Sequence, residues 1–175
     1  MIARFQPLHY GHLHAIEHCL SSFSEVVVAV GMASQSHTPE NPFTAGERIE
    51  MIRRTLKWRS HDLSRIITVT LPTLEVSRVA VHYIKLYSPA FNAVLTLNPV
   101  VKAIFVDEGY RVVEPPAYNR DLYRGSLIRK LMAIGDDRWK ELVPPPVVEF
   151  IDEINGVKRV RMLYREKIAG HYATT

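Results

Sequence analysis

Residues 4–12 read RFQPLHYGH, which puts an arginine, two histidines three apart and a glycine into one short stretch. Half of the chain's 8 histidines (His9, His12, His14 and His18) fall within ten residues. Pro7 delays helix formation, so the chain turns from loop to helix near Gly11 and His12. A helix start offers unpaired N–H groups and partial positive charge, and so attracts anions. Gly11 lets a ligand approach the backbone closely. Two imidazoles, titrating near ~6.5 when unperturbed, add donors, and Arg4 adds a permanent forked charge. Metal binding is the competing chemistry: His14 and His18 share a helical face at a spacing zinc can use. No acidic or thiol set completes a tetrahedron, because Cys19 points to another part of the helix. The plain alternative is a helix start with solvated histidines, and these residues alone leave the three readings open.

A second cluster is RGSLIRK, residues 124–130. Ser126 can cap a helix there, and Arg129, one turn in, faces back toward the same end. The chain contains neither G-x-G-x-x-G nor a P-loop, and neither H-E-x-x-H nor paired C-x-x-C.

These residues need a frame, and the chain supplies one. Its 175 residues are 47% hydrophobic, enough for one domain with a sizeable core. The formal net charge of +4 suits anionic partners but is too small an excess to imply nucleic acid. The single cysteine excludes an internal disulfide and fits a reducing compartment. No apolar run reaches membrane-spanning length and no signal-peptide pattern opens the chain, so a cytoplasmic protein is expected.

Short β-branched runs at 25–31, 65–72, 93–98 and 110–116 predict buried strands. Helical spacing predicts helices at 11–22, 44–58, 78–87, 99–108, 125–133 and 138–154. In the first, Leu13, Ile16, Leu20 and Phe23 form one stripe; in the second, Thr44 and Glu47 form a capping box. Strands separated by helices imply right-handed crossovers and a parallel sheet covered on both faces. The expected architecture is one α/β, doubly wound domain over 1–175, with ligands beyond the carboxyl ends of the strands. The residues there are the opening stretch, the polar loop 31–43, the turn 97–99 and the segment 115–126. The basic tail 157–167 is interrupted by Val160, Met162 and Leu163, which read as packing positions of a C-terminal element rather than as a nucleic-acid module.

RFQPLHYGH, together with SHTPENPFTAGER (36–48), NP (98–99), EGYRVVEPPAYNRDLYRGSLIRKLM (108–132) and LVPPPVVEFIDEINGVKRVR (142–161), resembles the archaeal nicotinamide-mononucleotide adenylyltransferases in order and spacing. These are members of the H-x-G-H nucleotidyltransferase superfamily, and the resemblance spans nearly the whole chain. It implies a Rossmann-like fold with C-terminal helices, and transfer of the adenylyl group of ATP to nicotinamide mononucleotide, giving NAD and pyrophosphate. It assigns catalysis to His9, His12 and Arg129. Nucleotide binding falls to Arg4, Phe5, Gln6, Gly11, His37, Arg120, Tyr123 and Ser126. Acceptor binding falls to Gly31, Arg48, Asn98 and Ala80. Mg2+ is expected on the phosphates and water with no protein ligands, and a homo-oligomer without nucleic-acid or membrane partners is implied.

The chain departs from the family's pattern at four places. Only Met1, Ile2 and Ala3 precede Arg4, so either the first strand is shortened or the true start lies upstream. Leu97 stands where the family's S-G-N-P turn has glycine, Ala80 where it carries a tryptophan, and Arg124 where it often has serine. An adenylyl- or cytidylyltransferase acting on another phosphorylated acceptor, and a nucleotide sensor without turnover, are the alternative readings.

Overall fold

A computed structural model describes residues 1–73, 79–116 and 118–170. In chain order the elements are β1 (Ile2–Ala3), α1 (Tyr10–Ser22), β2 (Val26–Val30), α2 (Ala45–Trp58), β3 (Ile66–Thr70), α3 (Val79–Tyr87), β4 (Ala93–Leu95), α4 (Pro99–Asp107), β5 (Arg111–Val113), α5 (Gly125–Ile134), α6 (Pro145–Glu153) and α7 (Gly156–Ile168). All recorded strand pairs are parallel, as the crossover helices require. Val26 to Val30 pair in register with Ile66 to Thr70, and Ile2 and Ala3 pair with Ala29 and Val30.

The sheet is less continuous than the sequence pattern suggests. Its ladders form two groups, β1-β2-β3 and β4-β5. With two residues, β1 is too short to carry ladders on both sides. A cavity of ≈ 460 Å³ lies at this division, lined by Val26, Ala29, Val94 and Phe105 among others.

Alternation along β2 sorts the core into two faces. Val26, Val28 and Val30 pack with α1, α2 and the C-terminal helices, alongside Ile16, Ile52, Trp139 and Val160. Ala29 points the other way and packs with Leu71, Val81, Ile84 and Phe105 under α3 and α4. The stripe on α1 is buried at Leu13, Ile16 and Leu20. The capping box of α2 is present: Thr44 Oγ1 accepts from Glu47 N at 3.2 Å, and Thr44 N donates to Glu47 Oε2 at 2.8 Å.

Two expectations fail in the C-terminal third. The helix expected over 138–154 is two elements, a 3-10 turn (Asp137–Leu142) and α6, because the prolines at 144–146 cannot continue a hydrogen-bonded helix. The tail is α7, in which Val160 and Leu163 are buried but Met162 is 51% exposed, so Met162 is not a packing position. Among the described residues, no helix is long and apolar enough to cross a membrane.

Candidate functional site

Beyond the ends of β1 and β4, the opening loop, α1, the turn 96–98 and the segment 115–126 enclose a cleft of ≈ 870 Å³. Its floor is built by the opening loop. Phe5 is fully buried in the left-handed region at φ 53°, which only a tightly held backbone sustains in a non-glycine residue. Gln6 fixes the loop from the other side: Nε2 donates to Phe43 O at 2.8 Å and Oε1 accepts from Phe43 N at 3.0 Å. A side-chain amide thus imitates a strand partner. Gln6 is 3% exposed, so the expected contact of its side chain with nucleotide is replaced by a structural clasp.

His9 ends the loop as the N-cap of α1, and its Nδ1 accepts from His12 N at 3.3 Å. An accepting Nδ1 carries no proton, so the neutral ring has its N–H at Nε2. The His9 and His12 rings stack with centroids 3.6 Å apart and 19° between planes. Burial lowers the His9 pKa to about 4. Burial, then the neighbouring His9, hold His12 well below the usual imidazole value. Both rings are therefore neutral donors at pH 7, not the cations that the sequence pattern allows. His12 Nδ1 is buried with no hydrogen-bond partner among the described residues.

Glycine at position 11 follows from packing. A Cβ there would stand 3.1 Å from Tyr123 Cβ and 3.2 Å from the His9 ring. At the start of α5, a Cβ on Gly125 would stand 2.8 Å from Gln6 O and 3.1 Å from Arg129 Nη1. The two helix starts meet across this contact. Arg129 is 6% exposed, with Nη1 donating to Gln6 O at 2.7 Å and Nε to Pro39 O at 3.1 Å. Burial lowers its pKa, and the Tyr164 hydroxyl and the Glu40 carboxylate oppose that lowering. Ser126 lies inside α5, and Arg124 occupies the N-cap position without a capping bond, so the expected Ser126 cap is not made.

Arg4, Phe5, Gln6, His9, Gly11, His12, Asn98, Arg120, Tyr123, Ser126 and Arg129 all line the cleft, Gln6 with its side chain turned into the clasp on Phe43. Asn98 caps α4, its Oδ1 accepting from Val100 N at 2.9 Å and Val101 N at 3.4 Å. Three expected residues stand elsewhere. His37 lines a separate groove with Asn155, Lys158 and Arg161 of the α6–α7 region. Arg48 is 0% exposed, and its guanidinium donates to the carbonyls of Thr44, Arg4, Gly31 and Met32. It holds the backbone behind the cleft, so an acceptor contact is not its role here. Gly31 belongs to the same buried junction, donating its N–H to Ala3 O. The side chain of Ala80 lies outside the described residues.

Sequence reasoning missed Tyr118 and left His14 as a solvated helix residue; both line the cleft, with rings stacked at 4.5 Å. The only advance signal is that Tyr10, Gly11 and His14 share one face of α1. The zinc reading has no support, since no group of three metal-ligating side chains occurs among the described residues. The cleft sets four arginines (Arg4, Arg120, Arg124 and Arg129) against one carboxylate, Asp121. Such a lining suits a polyanion.

Comparison with known proteins agrees with this geometry. Residues 1–131 match the family model described as cytidylyltransferase-like. A protein of Archaeoglobus fulgidus without a functional name is 50% identical over 161 residues, covering 92% of each chain. The nicotinamide-nucleotide adenylyltransferase of Saccharolobus solfataricus is 46% identical over 158 residues, covering 90% of this chain and 91% of its own. That of Ignicoccus hospitalis is 43% identical over 160 residues, covering 91% and 94%. Among solved structures, a bifunctional NMN adenylyltransferase/ADP ribose pyrophosphatase from Francisella tularensis, complexed with AMP and a manganese ion, superposes with a TM-score of 0.70 at 20% identity. This chain is covered to 97% and spans about half, 52%, of that one, so the likeness concerns the fold. The chain belongs to the cytidylyltransferase-like nucleotidyltransferases and, within them, to the archaeal nicotinamide-mononucleotide adenylyltransferase family.

Proposed function

We propose that this protein transfers the adenylyl group of ATP to nicotinamide mononucleotide, forming NAD and pyrophosphate. One observation carries the reading: the starts of α1 and α5 converge on a single arginine-lined cleft that holds His9, His12 and Arg129 together. The relatives that bear the adenylyltransferase name match over nearly the whole chain.

In this reaction an acceptor phosphate oxygen attacks the α-phosphorus, and the bond to the bridging oxygen breaks as pyrophosphate leaves with the electron pair. The attacking oxygen is ionised at neutral pH, so no general base is needed. Catalysis reduces to alignment and charge stabilisation. His9 Nε2–H, the His12 ring and the first amides of α1 donate to the α- and β-phosphate oxygens. Neutral imidazoles serve here because they donate without binding the product tightly as cations would. Arg129, already desolvated, takes the leaving pyrophosphate, and Arg4, Arg120 and Ser126 hold the outer phosphates, with Tyr123 beside them. Gly11 admits the chain of contacts at the helix start. Asn98 faces the acceptor side.

With Asp121 as the one carboxylate among the cleft's described residues, a divalent cation such as Mg2+ would come with the substrate, and it would supply charge neutralisation to the phosphates beside Arg4, Arg120 and Arg129. The reading is of a cytoplasmic, homo-oligomeric enzyme. Leu97, which lines the cleft beside Asn98, favours one variation, a different phosphorylated acceptor.

Pyrophosphate release from ATP or CTP, with a panel of mononucleotide acceptors, tests the proposal. The expected result is turnover with ATP and nicotinamide mononucleotide, falling by about 100-fold or more in His12→Ala with the melting temperature retained. Turnover confined to other acceptors overturns the substrate assignment. ATP binding without any turnover supports the sensor instead.

A further inference from the structure

Arg120 and Arg124 reach the cleft from the segment 118–124, which is exposed apart from Tyr123. The backbone bonds recorded there are local: Leu122 N and Tyr123 N donate to Asn119 O at 2.9 Å, and Arg124 N donates to Leu122 O. Arg124 Nε also bonds within the segment, to Asp121 O at 3.1 Å. Its contact with α1 is aromatic. Tyr118 stacks on His14 at 4.5 Å with 15° between planes, and on Tyr123 at 5.2 Å with 6°. Tyr123 meets Tyr10 edge-on at 6.0 Å and presses its Cβ toward Gly11. Tyr10, Gly11 and His14 lie on one face of α1, so the ladder runs along the first turn of the helix that carries His9 and His12.

We propose that Tyr118, clasped between His14 and Tyr123, is a positioning residue that locks the segment 118–124 onto α1 and so holds Arg120 and Arg124 at the cleft before ATP arrives. This rests on the reading of the cleft as the ATP site. A flexible arginine loses side-chain and loop freedom when it binds phosphate, and a loop docked in advance removes part of that loss. The clasp explains a histidine at position 14 that neither metal nor phosphate chemistry requires, and it couples the arginines to the same helix turn as the catalytic pair.

The test compares Tyr118→Ala, Tyr118→Phe, His14→Ala and the double variant Tyr118→Ala/His14→Ala by steady-state kinetics, thermal melting and trypsin cleavage after Arg120 and Arg124. Losing one stacked aromatic contact predicts a rise in KM for ATP of about three- to tenfold, with kcat and melting temperature near those of the parent. Cleavage after Arg120 and Arg124 accelerates in both alanine variants, and ATP at saturation suppresses it. Tyr118→Phe keeps the stack and gives up only the hydroxyl that bonds Tyr123 within the segment, so KM and cleavage stay close to the parent's and well apart from those of Tyr118→Ala. The double variant is no worse than the more affected single one, because both break the same clasp. Equal KM and equal cleavage rates in Tyr118→Ala and Tyr118→Phe overturn the inference, as does full additivity of the two alanine changes. The cleavage assay needs no turnover. If the parent protein fails to use ATP, the functional reading falls while the clasp is still judged on its own.

Discussion

Arg48→Lys separates a backbone brace from an acceptor contact. In the parent, Nε donates to Thr44 O at 3.1 Å, Nη1 to Arg4 O at 2.9 Å and Gly31 O at 2.6 Å, and Nη2 to Met32 O at 3.1 Å. Lysine keeps the buried charge, and with it the desolvation that draws the arginine down to about 10. It loses the planar fork, since a point ammonium cannot reach four carbonyls spread around a guanidinium. Thr44 O keeps a second donor in Arg48 N, and Met32 O keeps Gln35 N. Arg4 O and Gly31 O depend on the Nη1 group. Losing two charge-assisted bonds at about 1.5 kcal/mol each gives a destabilisation of about 3 kcal/mol. With a urea slope of about 2 kcal/mol per M, the unfolding midpoint falls by about 1.5 M. Urea titration followed by circular dichroism reads this, and acceptor KM is measured in parallel under folding conditions. A loss below about 1 kcal/mol accompanied by a large rise in acceptor KM would refute the brace and return Arg48 to the acceptor.

The histidine pair predicts acid sensitivity. Below the unfolded value near 6.5, the unfolded chain binds a proton that native His9 refuses until about 4, so stability is lost as pH falls through that window. The slope is about 1.4 kcal/mol per pH unit and the total about 3 kcal/mol for His9; urea midpoints from pH 7.5 to 4.5 measure it, and His9→Gln should flatten the curve. Two glycines give opposite results on alanine replacement. Gly125→Ala places a methyl against Gln6 O and the Arg129 guanidinium, costing about 1–3 kcal/mol and lowering pyrophosphate release, whereas Gly46→Ala meets nothing within 4 Å and leaves the melt unchanged or slightly higher. Equal effects at the two positions would show that the contact at Gly125 is not tight.

Local chemistry was well announced by the sequence. The Thr44 and Glu47 box, the α1 stripe and the β-branched runs all encode nearest-neighbour physics, and each became the expected element. The error at 138–154 came from an apolar rhythm through Leu142, Val147, Phe150 and Ile151 that runs across the prolines; the missing N–H groups at 144–146 outweigh that rhythm. At the site, the residues brought together by two helix starts were legible because their types announce anion binding. Gln6 and Arg48 were misread because a polar side chain gives no sign of whether it faces a ligand or a buried carbonyl. That depends on Phe43 and Gly31, which approach through tertiary folding. His37 and Tyr118 fail for the same reason: one turns to the α6–α7 groove and the other finds its partner on α1.

The cytidylyltransferase-like family model ends at residue 131, while the named relatives match over nearly the whole chain, and the molecule does not change character at that point. Arg159 of α7 donates to Glu47 through both Nη atoms, at 2.7 and 2.8 Å, and to Pro42 O at 3.2 Å. The same carboxylate closes the capping box of α2, and Val160 shares a core with Val28. The last helix therefore acts as a keystone for the loop that runs into α2. Grafting the C-terminal helices of one relative onto another would succeed only if positions 42, 43 and 47 travelled with them, so recombination between such proteins has a seam that lies nowhere near residue 131.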